Sequence, residues 1–175
     1  MSESSLSGEG AGAPEAVFDV LALLEQDART TPERIAQATG RSAAEVREAI
    51  ARAERDGLIL RYGALVDWDR AGREEVWAWI ELKVSPEPDL GFDAVASRIA
   101  KFPQTWSVYL TSGTYDIGVL VRAATMREIS NFVSQKLATL GPVQSTVTHF
   151  IMRRYKVNGA VFERPAEGDR LAVAP

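Results

Sequence analysis

From Glu15 onward, apolar residues recur with helical spacing. Val17, Val20, Leu21 and Leu24 fall at i, i+3, i+4 and i+7, and this first helix is expected to fade near Asp27. The stretch "TTPERIAQATG" follows. Thr31 suits an N-cap, Pro32 the first helical position and Gly40 the end, which predicts a short helix with Ile35 and Ala36 facing inward. In "RSAAEVREAIARAERDG", Ser42 and Glu45 have capping-box spacing, Val46, Ile50 and Ala53 form the inward stripe, and Gly57 closes the helix. "LILRYGALVD" reads as two short strands around Tyr62 and Gly63. Three helices and a small hairpin, with only "TGRS" between the second and third helix, predict a winged helix-turn-helix over residues 14–65. A three-helix scaffold with no nucleic-acid role fits the same pattern.

The period changes after a charged linker, residues 66–74. In "EVWAWIELKV" Val76, Ala78, Ile80, Leu82 and Val84 point one way, and Trp77, Trp79, Glu81 and Lys83 point the other. "SPEPDLG" breaks the strand. Phe92, Val95, Ala96 and Ile99 predict a helix that Pro103 ends. "TWSVYLTS" and "DIGVLVRA" are strands. Met126, Ile129, Val133 and Leu137 predict a second helix, and "VQSTVTHFIMRRYKV" a long fourth strand. Strand, helix, strand, strand, helix, strand is the ferredoxin-like split βαβ order over residues 75–157, so the fold class is α+β. Trp77 and Trp79 should face away from the helices. Two tryptophans on an open sheet make an apolar patch of the kind that marks an interface, so they are expected to meet a second subunit. The alternative is that the first domain folds back over that face.

Composition adds constraints. Hydrophobic residues make up 46% and charged residues 25%, as in an ordinary soluble globular protein, and no apolar run approaches membrane-spanning length. Residues 1–13 are polar, rich in Ser and Gly, and read as a disordered tail without signal-peptide character; the cytoplasm is the expected compartment. There is no cysteine and one histidine, His149. This argues against a thiol nucleophile, a metal site or a Ser-His-Asp site. "SGTYDIG" lacks the glycine spacing and the lysine of phosphate-binding loops. No enzyme, cofactor or metal is expected.

A helix-turn-helix, a linker and a ferredoxin-like domain with "SGTYD" between its second and third strands resemble the Lrp/AsnC (feast/famine) transcriptional regulators. The resemblance runs from about Glu15 to about Val157. Its strongest parts are "IARAERDGLILRYGALVDWDRAG" and "YLTSGTYDIGVLVRA". The tail, residues 158–175, is similar to the C-termini of some bacterial members and reads as an extra strand or arm. The resemblance implies dimers paired through their sheets, a higher homo-oligomer that is most often an octamer, double-stranded DNA as partner, and a small effector, commonly an amino acid, bound between dimers near "SGTYD". Family positions that affect ligand response map onto Asp116, Met126 and His149, with Thr146 and Thr148 as neighbouring candidates. The residue types in the loop suit that chemistry. Gly113 can take a positive φ and let a ligand approach. Backbone N–H groups around Gly113, Thr114 and Tyr115 can hold a carboxylate, and Asp116 can pair with an α-ammonium group. The same four residues are also good turn chemistry that needs no ligand.

The DNA-binding candidates are Arg41, Ser42 and Arg47 near the start of the third helix, with Arg52, Arg55 and Arg61 for phosphates. Their surroundings are acidic. From Ser42 to Asp56 three arginines face four acids, and over residues 14–73 nine arginines face eleven acids. Phosphate neutralisation carries much of DNA affinity, so each contact should be weak and several linked domains should compensate. An effector-sensing oligomer that acts through a protein partner is the alternative.

Overall fold

The computed structural model describes residues 15–85 and 91–162. The expected tail at 1–13 and most of the extension beyond 162 lie outside them. The chain divides into two compact units at Leu65/Val66.

The first unit holds α1 (Glu15–Gln26), α2 (Pro32–Thr39) and α3 (Ala43–Arg55). Local chemistry sets each boundary. The Arg34 N–H donates to the Thr31 hydroxyl at the start of α2, and Gly40 closes that helix at φ 71. A complete capping box opens α3: the Glu45 N–H donates to Ser42 Oγ at 3.2 Å, and the Ser42 N–H donates to Glu45 Oε2 at 2.8 Å. The Ser42 N–H, and after it the Ser42 hydroxyl at 2.7 Å, donate to Glu45 Oε2 and hold that carboxyl below its ordinary pKa. Val20, Leu24, Ile35, Ala36 and Val46 form one buried core.

The wing differs from expectation. Residues 58–67 form no strand ladder. Only Ile59 packs on the helical core, while Leu58, Leu60 and Tyr62 project outward, Leu60 at 90% exposure. A hairpin needs an apolar face to lay on something, and in one chain this segment offers its apolar residues to solvent.

In the second unit β1 (Val76–Val84), β2 (Thr105–Leu110), β3 (Ile117–Ala123) and β4 (Val143–Phe150) make an antiparallel sheet of order β2-β3-β1-β4. α4 (Phe92–Ala100) and α5 (Met126–Phe132) supply the second layer. Ala78, Ile80, Leu82 and Val84 meet Val95, Ile99, Ile129, Phe132 and Leu137 in the core. This is the ferredoxin-like arrangement. The stretch read as a linker is a hydrogen-bonded turn: the Arg70 N–H donates to Asp67 Oδ1, and the Arg73 N–H donates to the Trp68 carbonyl at 2.9 Å.

Three expectations change in detail. α5 continues through a π-helical turn at Val133–Leu137, where the Ala138 N–H reaches back five residues to the Val133 carbonyl. That turn shifts the stripe, so Phe132 and Leu140 are buried with Ile129 and Leu137, whereas Met126 is exposed. β4 stops at Phe150 instead of running to 157. The chain then leaves the sheet for a small hairpin, β5 (Lys156–Val157) and β6 (Ala160–Val161), around Asn158 and Gly159 at φ 46 and 82.

The third change is at the open face. Trp77 is not offered to solvent: it is 8% exposed and covered within the chain by Trp106, Arg122 and Arg154. Residues more than 25 and 70 positions downstream, in the same unit, do this. Trp79 is half-buried over Gly118, between Tyr109 and Tyr115.

Candidate DNA-binding and effector sites

On the helix-turn-helix, several sequence-selected groups already have partners inside the unit. The Ser42 hydroxyl and N–H are both committed to the capping box. The Arg47 guanidinium donates to Glu33 Oε1, bridging α3 to α2, and Arg52 Nε donates to Asp56 Oδ2 at 3.4 Å. Arg41 buries its Nε, while Arg55 and Arg61 are exposed. The Arg47 and Arg52 pairs have side chains more than half exposed, so such bonds exchange readily with solvent or phosphate. Arg47 does not pair with an acid of its own helix. The partner of Arg47 instead comes from the preceding helix, because α2 and α3 cross beside the short turn. Tyr62 was missed: its hydroxyl donates to Glu54 Oε1 at 2.9 Å and ties the segment after α3 back onto it.

In the second unit the "SGTYD" loop shows why an acid precedes a buried strand. The β1–β3 ladder ends at Leu82 opposite Ile117, and the β1–β4 register shifts between Lys83 and Val84. The Val84 N–H therefore lies beyond the β1–β3 ladder, and it donates to Asp116 Oδ2 at 2.8 Å. Lys83 Nζ donates to Asp116 Oδ1 at 3.1 Å. The hydrogen bond from Val84, then the one from Lys83, hold the Asp116 carboxyl below its ordinary pKa. The Asp116 N–H donates to the Leu82 carbonyl, and the Asp116 carbonyl accepts from the Thr111 N–H at 2.8 Å. Asp116 thus closes the end of the sheet and holds the loop, with its side chain still 19% exposed. Gly113 has φ 140 and open space where a Cβ would stand. The N–H groups of exposed Gly113 and Thr114 make no hydrogen bond with the described residues. Tyr115 stacks edge-on against Trp79, with ring centroids 6.5 Å apart.

The remaining effector candidates do not gather at this loop. Thr146 and Thr148 stand opposite Leu82 and Ile80, on the helix side of the sheet. His149 stands opposite Trp79, on the open side, with Nε2 3.6 Å from Glu81 Oε1. Met126 starts α5 at the far end of β3, a strand of 7 residues and so on the order of 20 Å from the loop. Sequence reading missed Lys83 as the partner of Asp116; only its place at the end of β1 hinted at that role. Among the described residues there is no cluster of potential metal ligands and no helix long and apolar enough to cross a membrane.

Comparison with known proteins gives this geometry a family. Residues 15–59 match a winged helix-turn-helix DNA-binding family, and residues 78–161 match the Lrp/AsnC ligand binding domain. The chain is 42% identical over 158 residues to the uncharacterized HTH-type transcriptional regulator YugG of Bacillus subtilis, across 90% of this chain and 95% of that protein. Its fold is similar to that of the leucine response regulatory protein LrpA of Mycobacterium tuberculosis, with TM-score 0.69 and 21% identity over 83% of this chain and 97% of that one. A Neisseria meningitidis transcriptional regulator in complex with L-Met shares the fold with TM-score 0.66 and 19% identity, over 89% of this chain and 97% of that one. With both halves matched in order and a relative of this identity over nearly its full length, the chain belongs to the Lrp/AsnC family: it is a DNA-binding transcriptional regulator with a ligand-binding domain, not an enzyme.

Proposed function

We propose that this regulator responds to an amino acid bound where dimers meet in a higher homo-oligomer, most simply an octamer. The observation that carries the reading is the pairing of two opposite features at one loop. Exposed N–H groups at Gly113 and Thr114 suit an α-carboxylate, and the Asp116 carboxylate suits an α-ammonium. An ammonium group would enter by replacing Lys83, one cation for another, so the exchange leaves Asp116 neutralised throughout. Met126, Thr146, Thr148 and His149 lie at the other end or on both faces of the sheet, so in this reading copies of the chain bring them toward each other's loops. The L-Met complex of the Neisseria neighbour supports the class of ligand. Occupancy changes DNA binding only if the effector prefers one assembly over the other.

The test is fluorescence anisotropy on the DNA upstream of its own gene at two salt concentrations, followed by titration of the twenty amino acids into the complex. A response in the wild type that disappears in Asp116→Ala, with dimers preserved, supports the site. An unchanged response in that variant sinks it. The Arg47–Glu33 and Arg52–Asp56 pairs favour a second reading, weak DNA binding supplemented by a protein partner. Equal, negligible binding to this duplex and to an unrelated one would select that reading.

A further inference from the structure

At the end of the sheet opposite the "SGTYD" loop, aromatic rings and guanidinium groups pack together. Arg122 lies over the Trp106 ring at 4.3 Å and reaches the Trp77 ring at 5.7 Å. Arg154 lies over the other part of this stack, 4.9 Å from the Trp77 ring and 5.0 Å from the Phe162 ring. Trp106 also meets Trp77 edge-on at 5.4 Å, so Trp106, Arg122 and Trp77 form one cluster, which Arg154 and Phe162 extend on the other side of Trp77. It joins β2, β3, β1, the segment after β4 and the last residue of the C-terminal hairpin. The Phe162 N–H donates to the Tyr155 carbonyl, which folds the hairpin back over Arg154.

The acids that neutralise this stack all come from the connector leading out of the DNA-binding unit. Asp69 Oδ2 is 3.5 Å from Arg154, whose side chain is 13% exposed. The Glu75 side chain is 3% exposed, with Oε1 3.6 Å from Arg122 and 3.4 Å from Arg73. Neither Glu75 oxygen has an aligned hydrogen bond, so its burial is compensated by these charges alone. Arg73 lies on the connector itself, so the ion pairs that hold the connector to the sensing unit are Glu75 with Arg122 and Asp69 with Arg154.

We propose that Arg154, held by Phe162 of the C-terminal hairpin, is a positioning residue for DNA binding: it anchors residues 67–75 to the sensing unit and so shortens the free link to the DNA-binding unit. The inference rests on the DNA-binding role and not on the class of effector. A short link fixes the spacing at which two winged helices of a dimer meet successive half-sites, and a released link tolerates other spacings.

Two measurements on the full-length protein test this with Arg154→Ala and Phe162→Ala. The first needs no DNA: trypsin cleavage after Arg70, in the exposed part of the connector, followed by mass spectrometry with cleavage after Lys136 as internal control. We expect cleavage after Arg70 to rise on the order of tenfold in both variants while the control is unchanged, since cleavage follows the population of the released segment. The second compares binding to its own upstream DNA with and without five base pairs inserted at the centre of the protected region. The insertion should weaken the wild type by roughly tenfold or more and the variants by less than about threefold, because half a helical turn is misplaced only for a fixed link. A merely structural role would lower stability without changing that ratio. Connector cleavage equal to wild type in both variants, or an unchanged insertion penalty, would overturn the proposal. Absence of wild-type DNA binding would count against the regulatory reading and leave the cleavage result to decide the anchor.

Discussion

Substituting Gly118 with alanine puts a number on how tightly the open face is built. A Cβ at Gly118 would stand 2.2 Å from Trp79 Cζ2 and 2.5 Å from Cη2, against an ordinary carbon contact of about 3.5–4.0 Å. The indole must therefore move by more than about 1 Å. It has little room to do so, since Tyr109 and Tyr115 stand 5.9 and 6.5 Å from it by ring centroid. Overpacking of this kind costs about 1–3 kcal/mol. The alanine recovers about 0.5–1 kcal/mol by restricting the unfolded chain. The net loss should lie between about 0 and 2.5 kcal/mol, centred on about 1 kcal/mol, read from urea unfolding at fixed protein concentration. In a Trp79→Ala background the same substitution meets no ring and should be neutral or stabilising. The coupling between the two positions should then be on the order of 2 kcal/mol. A Gly118→Ala cost within about 0.5 kcal/mol of the same value in both backgrounds would show that the ring is not what excludes a side chain there.

Two further outcomes follow from groups described above. Because the folded-state pKa of Asp116 lies below its ordinary value of 3.8, its stabilising effect is complete above that value and fades as pH falls through the folded pKa. Wild type should therefore exceed Asp116→Asn in thermal stability at pH 7, with the difference shrinking below about pH 4; a pH-independent difference would exclude the ionised carboxylate as its cause. Glu33→Gln releases Arg47, and because both side chains are more than half exposed the stability change should be small. DNA affinity should rise several-fold and the slope of log affinity against log salt should steepen by about one, whereas unchanged anisotropy titrations would remove Arg47 from the phosphate contacts.

Helices and strand order were readable because their causes are local. Thr31 with Pro32, Ser42 with Glu45, and Gly40 each act within four residues, and period-two alternation in β1 separates the core face from the open face without further information. The parts that were not readable depend on distant residues. Nothing near Trp77 in the chain announces Arg122 or Arg154, and nothing near Asp116 announces the Val84 N–H and Lys83, more than 30 positions upstream. The "NG" pair at Asn158 and Gly159 was a usable hairpin signal, and it locates the end of the arm better than strand propensity did. Thr146, Thr148 and His149 illustrate a different limit. Their adjacency in sequence suggested one site, but the alternation of a strand sends them to opposite faces.

The π-helical turn in α5 carries a consequence for how this chain can change length. Five steps separate the buried Phe132 and Leu137 where an ordinary helix would use three or four, so the segment holds one residue more than its packing requires. Removing one of the exposed residues Ser134, Gln135 or Lys136 would turn it into a regular helix and keep both flanking apolar faces in phase. The same deletion inside β1 or β4 would exchange the two faces of the sheet. Descent with insertions and deletions should therefore leave its single-residue traces in this helix, while the strands on either side keep a constant length.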